Sequence, residues 1–326
     1  MKRARIIGTG SYLPEKILTN HDLEQTLDTS DSWIVTRTGI RERRIAAEGE
    51  NTSDLAAKAG AKALEMAGVK PDEVDLIVVG TITGDFPWPA TACMVQQKLG
   101  CSNAFAFDLS AACSGFVYAL TTAGKYLESG TAKRALVIGA EVISRILDWE
   151  DRNTCVLFGD AAGAVVLEAQ EGESGLLSSH LHSDGKYWDL LYQPGFGAVH
   201  PPTSQAMEER LQYLKMQGSE VFKVAVRMLS EVAQEALAAH DLSSEAIKLF
   251  IPHQANMRIL EATAKRVGFA PEQVYINVDR LGNTSGATIP VALDEANRLG
   301  MLNEGDLILL DAFGGGFTWG ASLVRW

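Results

Sequence analysis

Apolar and polar positions fall into blocks that predict helices followed by short buried strands. Residues 52–68 begin with Thr and Ser, continue with an Ala-rich amphipathic run and end at a glycine, a pattern typical of a helix. The apolar run 74–80 then predicts a strand covered on both faces. The same order returns at 219–240 and 247–253, shifted by about 173 residues.

Two further pairs of segments repeat with nearly the same shift. Residues 134–141 resemble residues 306–313, and residues 104–115 resemble residues 275–286. Three similar shifts in the same order indicate an internal duplication, in which residues 275–279 align with the predicted strand at 104–108.

The duplication predicts an α/β fold built from two similar halves with mostly parallel, buried strands. We assign the N-terminal half to residues 1–170 and the C-terminal half to residues 171–326. Two irregular stretches, 145–160 and 183–205, interrupt the repeat. Loops of this kind on a regular scaffold often carry substrate contacts.

Charge and hydropathy exclude several classes of protein. The 326 residues carry a formal net charge of −12, with a pI near 5.0, which argues against a general nucleic-acid binder. No apolar run approaches the roughly 20 residues of a membrane span, and the N-terminus lacks a signal-peptide core. We therefore expect a cytoplasmic protein that binds neither nucleic acid nor membrane.

One of the four cysteines lies in a position that favours chemistry. Cys93, Cys101 and Cys155 show no metal-ligand spacing, and we expect them to be buried small apolar residues. Cys113 follows a predicted strand and begins a helical run that ends near Gly130. A helix N-terminus stabilises an anion and so lowers the pKa of a thiol. Position alone supports a nucleophile and a structural cysteine equally.

Three other strand-end turns are candidates to meet Cys113. Asn283 lies one position from the predicted counterpart of Cys113, although the residues of its turn are also ordinary helix caps. His253 ends a predicted strand, where many histidines are structural. Glycines 314–316 follow another strand, and such a backbone either makes a tight turn or offers N–H donors to a ligand. Their joint occurrence favours a catalytic site.

The motifs that contain these residues resemble a known family. ACSGF, PHQAN, GNTSGAT and FGGGFTWGASLVRW, together with residues 28–44, are similar to the signatures of β-ketoacyl-acyl-carrier-protein synthase III, the condensing enzymes that start type II fatty-acid synthesis. The resemblance implies a thiolase-like fold with five α-β-α-β-α layers, a homodimer, and no metal or redox cofactor. Gly286 departs from the family, in which Ala or Ser is common, and we expect the change to affect loop flexibility rather than mechanism.

The resemblance also implies catalytic roles. The Cys113 thiolate would take the acyl group from a short acyl-coenzyme A, with the N–H groups of Cys113 and Gly315 as the oxyanion hole. His253, as a neutral imidazole with its proton on Nε2, and Asn283 would then donate to the thioester oxygen of malonyl-acyl carrier protein as it loses CO₂.

Binding roles follow from the same resemblance. Trp33 and Arg152 would hold the adenine of coenzyme A, and Arg37 would lie near its phosphates. Phe86 would reach across the dimer to close the acyl pocket. The pantetheine tunnel would be lined by Thr29, Gly218, Phe222 and Asn256. Because the chain is acidic, an acidic carrier protein would need a local basic patch, for which two predicted helices offer Lys223, Arg227, Arg258, Lys265 and Arg266. The resemblance points independently to Lys223 and Arg258.

Other classes of protein contain part of the same residue set. Papain-like cysteine hydrolases use Cys, His and Asn in this order, but the sequence around Cys113 and the duplicated α/β pattern differ. A non-catalytic binding module for coenzyme A or an acyl carrier would not need all three residues, and a thiolase would carry a second cysteine near the FGGG turn. The remaining alternative is a related condensing enzyme that starts a polyketide or an alkyl quinolone.

Overall fold

The computed structural model describes residues 2–326. Its strands are β1 (Lys2–Tyr12), β2 (Lys16–Thr19), β3 (Glu42–Ile45), β4 (Leu76–Gly80), β5 (Phe105–Leu109), β6 (Arg134–Glu141), β7 (Ala161–Glu171), β8 (Gly175–Ser183), β9 (Leu191–Tyr192), β10 (Lys215–Met216), β11 (Leu249–Pro252), β12 (Leu307–Gly314) and β13 (Thr318–Arg325).

The α-helices are α1 (Asn20–Glu24), α2 (Asp31–Thr38), α3 (Thr52–Ala67), α4 (Thr91–Leu99), α5 (Gly115–Glu128), α6 (Arg152–Cys155), α7 (Ser204–Glu208), α8 (Gly218–Ala238), α9 (Met257–Val267), α10 (Val278–Leu281) and α11 (Thr288–Arg298). Short 3₁₀ turns cover Pro71–Glu73, Ala112–Ser114, Ile143–Arg145, Gly185–Tyr187, Ser244–Ala246, Pro271–Gln273 and Ser285–Ala287. Within residues 2–326, no helix combines the length and apolar character needed to cross a membrane.

Two mixed sheets form the centre of the fold. The first has the strand order β1-β7-β6-β4-β5, and the second has the order β11-β12-β13-β8. Within them, β4 pairs in parallel with β5 and β6, and β11 pairs in parallel with β12, whereas the other neighbours are antiparallel. The prediction of mostly parallel sheets was therefore wrong, because four of the seven strand pairings in these two sheets are antiparallel.

Apolar side chains arrange the helices into layers around these sheets. Helices α3 and α4 pack on the outer face of the first sheet, and α8 and α9 pack on the outer face of the second. Helices α5 and α11 lie between the sheets in one continuous core. The order α-β-α-β-α confirms the five-layered, thiolase-like arrangement.

The internal repeat is present with one exception. Strands β4 and β11, β6 and β12, and helices α3 and α8 correspond as expected. Residues 275–279 differ from their counterpart in the first half: Val274 makes a single bridge to Phe250, and α10 begins at Val278. The matching 3₁₀ turns begin at Ala112 and Ser285, so the counterpart of Cys113 is Gly286, three positions beyond Asn283.

Glycines allow the two sheets and the central helices to approach closely. A Cβ atom on Gly139 of β6 would lie 2.1 Å from the carbonyl oxygen of Gly286, and one on Gly163 of β7 would lie 2.5 Å from the backbone N of Val291. Neither clash involves a side chain that could move aside. The absence of side chains here lets the turn that carries Asn283 lie directly against the first sheet.

Candidate active site

Cys113 lies where the two halves of the fold meet. It belongs to the 3₁₀ turn Ala112–Ser114, which leads directly into α5. The opposing β12 approaches so closely that a Cβ on Gly314 would lie 2.7 Å from the Cys113 backbone N. Cys113 is only 7% exposed, yet it lines two cavities, of about 740 and 480 Å³. A substrate can therefore reach the sulfur from two sides.

The larger cavity, called the entrance cavity below, brings most of the predicted residues together. It connects Cys113 with His253 and Asn283. Its remaining walls include the following predicted residues: Trp33, Arg37, Gly218, Phe222, Lys223, Asn256 and Arg258. Five separate segments of the sequence thus contribute to one cavity.

His253 is held as a neutral imidazole. It follows β11, donates its backbone N–H to the Asp311 carbonyl oxygen at 2.7 Å and is 2% exposed. Burial without a charged partner lowers the pKa of its imidazole to about 3. The neutral state expected from the sequence agrees with this environment.

A hydroxyl group determines which nitrogen of His253 carries the proton. The Thr288 Oγ1 atom lies 2.7 Å from His253 Nδ1 and 3.0 Å from the carbonyl oxygen of Ser285. A carbonyl only accepts, so the single hydroxyl proton goes to Ser285 and Nδ1–H donates to Thr288. In this arrangement Nε2 is unprotonated; when the Thr288 hydroxyl donates to Nδ1 instead, Nε2 carries the proton, which is the tautomer expected from the sequence.

Asn283 is oriented by its own turn. Its backbone N–H donates to Leu157, and its side-chain Oδ1 accepts from the Ser285 N–H at 2.8 Å. Because Oδ1 is occupied in this way, the amide NH₂ is the end that remains for a ligand. Asn283 therefore presents a hydrogen-bond donor, as its predicted role requires.

The electrostatic surroundings of Cys113 differ from the prediction. We expected the helix N-terminus to lower the pKa of the thiol, but burial raises it to about 12, and only the Ser285 hydroxyl and the residue's own N–H act to lower it. The nearby Glu141 carboxylate raises it further. The prediction of a lowered thiol pKa was therefore wrong for this substrate-free site, and the thiol needs a base when it reacts.

The predicted oxyanion donors lie on the smaller cavity, called the inner cavity below. Cys113 and Gly315 both line it. Neither backbone N–H donates to a backbone carbonyl within residues 2–326. The Gly315 N–H is thus available to a negatively charged oxygen, whereas the Cys113 N–H acts on its own sulfur in the substrate-free site.

The three residues expected around the coenzyme A head lie next to one another. The guanidinium carbons of Arg37 and Arg152 lie 4.4 and 5.1 Å from the centre of the Trp33 ring. Arg152 also pairs with Asp28 and, unlike Trp33 and Arg37, does not line the entrance cavity. Thr29 also lies outside that cavity, and its buried hydroxyl has no partner within residues 2–326.

The structure separates the other predicted binding residues. Lys223 and Arg258 lie at the entrance cavity, and the Arg258 guanidinium lies 5.4 Å from the Phe222 ring centre. Lys265 and Arg266 are exposed at the far end of α9. Arg227 is exposed on α8. Phe86 lines neither cavity and is 56% exposed.

Several residues around the site escaped the sequence analysis. Ser285 and Thr288 belong to the GNTSGAT motif, which we interpreted only as a possible source of helix caps. The only sequence signal for a role at the site was that the two residues lie three positions apart in this motif. Glu141, at the end of β6, is wholly buried beside Cys113, and a strand pattern alone does not identify it. Among the other cysteines, Cys101 and Cys155 are buried as expected, whereas Cys93 is exposed, so the prediction for it was wrong.

The residues present do not form an evident metal site. Across the described range 2–326, no group of three or more His, Cys, Asp or Glu side chains has an arrangement that would hold a metal ion.

Comparison with known proteins places this geometry in a family. Models of the N- and C-terminal parts of 3-oxoacyl-[acyl-carrier-protein] synthase III match residues 107–185 and 237–326. A β-ketoacyl-[acyl-carrier-protein] synthase III from Xanthomonas campestris is 56% identical, with 99% of this chain and 98% of that protein aligned.

Solved structures show the same relationship. The 3-oxoacyl-[acyl-carrier-protein] synthase III of Aquifex aeolicus superposes with a TM-score of 0.93 at 48% identity, covering 99% of this chain and 100% of that one. The priming β-ketosynthase of the R1128 polyketide pathway has a TM-score of 0.92 but only 35% identity, covering 99% and 96%. The polyketide alternative is thus more distant, and the chain belongs to the β-ketoacyl-acyl-carrier-protein synthase III family.

Proposed function

We propose that this chain condenses a short acyl-coenzyme A primer with malonyl-acyl carrier protein and so starts fatty-acid synthesis. The observation that carries the proposal is the position of Cys113 between two cavities, with His253 and Asn283 on the entrance side. A nucleophile between one space for the substrate arm and another for the acyl group suits a reaction that proceeds through an acyl-enzyme.

In the first half-reaction, the Cys113 sulfur attacks the thioester carbonyl of acyl-coenzyme A. The unprotonated Nε2 of His253 takes the thiol proton and passes it to the departing coenzyme A thiolate. The N–H groups of Cys113 and Gly315 donate to the oxygen that becomes negative in the tetrahedral intermediate. The carbon–sulfur bond to coenzyme A then breaks, and the acyl group remains on Cys113.

In the second half-reaction, malonyl-acyl carrier protein enters from the same side. Loss of CO₂ leaves an enolate whose oxygen accepts hydrogen bonds from the Asn283 amide and from His253. For this step the imidazole proton must lie on Nε2. The Thr288 hydroxyl serves both tautomers, since it can accept from Nδ1–H or donate to bare Nδ1. The enolate carbon attacks the acyl group and expels the Cys113 thiolate.

We assign the two cavities to different parts of the substrates. The entrance cavity holds the pantetheine arm, with Gly218, Phe222 and Asn256 along its walls. The inner cavity receives the primer, because much of its lining is apolar, including Ile82, Ile143, Ile146 and Leu214. Thr29 keeps its predicted place beside the arm, although it does not line the cavity here.

The carrier protein is proposed to dock beside Lys223 and Arg258. Lys223 pairs with Glu220 at 2.8 Å on the exposed surface of α8, where such pairs contribute little. Arg258, Lys265 and Arg266 make no salt bridge within the described chain. These cations offer local attraction on a chain whose net charge is −12.

We also propose a homodimer in which Phe86 reaches the partner's inner cavity. Phe86 and Trp88 are 56% and 83% exposed, and Phe105 is 42% exposed on β5, the edge strand of the first sheet. Large exposed apolar side chains beside an open strand edge favour association. Light scattering of the wild type and Phe86→Asp measures the oligomeric state directly.

A cytoplasmic location remains a prediction from the sequence.

The proposed reaction is tested by supplying the protein with acyl-coenzyme A primers from acetyl to octanoyl and with malonyl-acyl carrier protein. Mass spectrometry of the carrier protein should detect a β-ketoacyl product two carbons longer than the preferred primer, with release of CO₂. A product found only on coenzyme A, or only hydrolysis of the primer, would refute the proposed function.

A further inference from the structure

A buried carboxylate lies directly behind the site and has no role in the steps above. Glu141 ends β6 and is 0% exposed. Its carboxylate oxygens accept from the Thr81 hydroxyl at 3.2 Å, from the backbone N–H of Ile82 at 3.2 Å and from both the N–H and the hydroxyl of Thr83. A further hydrogen bond, at 3.2 Å, comes from the Ser285 hydroxyl.

All of these neighbours donate, so the group acts as an acceptor. Burial raises the pKa of the Glu141 carboxyl to about 7, whereas the donors from Thr81, Ile82, Thr83 and Ser285 act to lower it. Above neutral pH the charged form is therefore favoured. The fold thus holds a negative charge next to the attacking sulfur, although a negative charge opposes formation of a thiolate.

Ser285 links this carboxylate to all three catalytic side chains. Its hydroxyl donates to Glu141, and its N–H donates to Asn283 Oδ1. Its carbonyl accepts from the Thr288 hydroxyl, which contacts His253. Ser285 also lines the inner cavity with Cys113, and its hydroxyl acts to lower the pKa of the Cys113 thiol.

We propose that Ser285 and Glu141 control the reactivity of Cys113 through one shared proton: the Ser285 hydroxyl donates to the Glu141 carboxylate while Cys113 is a thiol, and turns to the sulfur when the thiol is deprotonated. A hydroxyl has one proton and cannot donate strongly to both acceptors at once. Glu141 therefore competes with the sulfur and keeps Cys113 unreactive until His253 removes its proton. The inference deepens the proposed function and rests on Cys113 being its nucleophile.

Few charged groups surround Cys113 and Glu141. The titratable groups that face Cys113 are Glu141 and, across the entrance cavity, His253, which is neutral. Within the described chain, Glu141 meets only hydroxyl and N–H donors. A change at Glu141 is therefore transmitted to the sulfur through Ser285 and through its own charge.

Two substitutions should change the reactivity of the sulfur in opposite directions. Glu141→Gln removes the competing charge and frees the hydroxyl proton, so alkylation of Cys113 by iodoacetamide at pH 8.5 should become about tenfold faster. Ser285→Ala removes the donor and should slow alkylation by about tenfold. Ser285→Gly, which suits the left-handed φ of +52° at this position, should give the same slowing.

Alkylation is followed by peptide mass spectrometry, with circular dichroism to verify folding. Ser144→Ala is the matched control, since the Ser144 hydroxyl also donates to a buried carboxylate, Asp160, at 2.6 Å but not to Cys113. It should leave the rate unchanged. If Glu141→Gln does not fold, the alkylation rates of Ser285→Ala and Ser285→Gly test the proposal.

The proposal is overturned if Glu141→Gln and Ser285→Ala shift the rate in the same direction, or if folded variants alkylate at the wild-type rate. Iodoacetamide needs no acyl-coenzyme A and no carrier protein. The rates therefore remain informative about the shared proton even if the condensation itself proves wrong.

Discussion

Ala112 and Ser285 occupy matching places in the two halves and share an unusual backbone conformation, with φ values of +46° and +52°. Each is the first residue of a 3₁₀ turn, and the two turns pack against each other. A left-handed conformation is uncommon for a residue with a side chain. The pair aims the turns of Cys113 and Asn283 at one cavity, so the duplication itself builds the site.

Gly286, the departure from the family sequence, should tolerate alanine. Its φ is ordinary, and a Cβ there would lie 3.4 Å from the Ala112 carbonyl and 3.5 Å from a Glu141 oxygen, both normal contacts. Gly286→Ala should therefore keep condensing activity and raise the free energy of unfolding by about 0.5–1 kcal/mol, since alanine restricts the unfolded chain. Denaturant titration and an initial-rate assay measure both. Lost activity in a stable variant would contradict the passive role of Gly286.

Asn283→Ala should separate the two half-reactions. It removes one donor to the enolate oxygen, which costs on the order of 10²–10³ in rate for a comparable donor. Decarboxylation of malonyl-carrier protein should fall by that factor, while transfer from acyl-coenzyme A to Cys113 continues. Release of ¹⁴CO₂ and intact-protein mass measure the two steps. Decarboxylation at the wild-type rate would exclude Asn283 from this role. Asn103→Ala is the control, because Asn103 is exposed and lines neither cavity.

Arg258→Glu should weaken the carrier protein specifically. Charges at the rim of an interface act mainly on the association rate and on its salt dependence. The KM for malonyl-carrier protein should rise and respond less to added salt, while transfer from acyl-coenzyme A changes little. Lys70→Glu makes the same change of charge on an exposed loop before β4 and should have no effect. Equal losses with both substrates would argue against docking at Arg258.

His253 should make the fold sensitive to acid. Its folded pKa is about 3, below the usual value near 6.5. Below pH 6.5 the unfolded chain binds a proton that the folded chain does not bind until about pH 3, so stability is lost as the pH falls through this window.

The measurement is the difference in unfolding free energy between the wild type and His253→Gln. It should shrink by about 2 kcal/mol between pH 7.5 and pH 5, because 1.5 pKa units correspond to roughly that value. Glu141 and Asp311, whose pKa values are raised by burial, change stability in the opposite direction, but both are present in the two proteins. A difference that stays constant with pH would show that His253 is protonated or exposed in the fold.

Local sequence patterns made part of the fold predictable. Helix α3 was predictable because Thr52 opens an amphipathic run and Gly68 ends it with φ +63°. Strand direction was not, since a strand buried on both faces has the same apolar pattern in parallel and antiparallel sheets. The boundary between the halves at residues 170 and 171 remains a prediction.

Short sequence motifs made part of the site predictable. Cys113 and His253 each follow a strand, Asn283 follows α10 within the GNTSGAT motif, and the fold brings all three to one cavity. The thiol pKa was not predictable, because it depends on burial and on Glu141, which comes from another strand. Likewise the tautomer of His253 depends on Thr288, 35 positions away in the sequence.

The central claim, that Cys113 carries the acyl group, is tested most directly by peptide mass spectrometry after brief exposure to acyl-coenzyme A. We predict one acyl group per chain, on Cys113 alone, absent from Cys113→Ala and removed when malonyl-acyl carrier protein is added. An acyl group on Cys93 or Cys155, or one that persists in Cys113→Ala, would contradict the account.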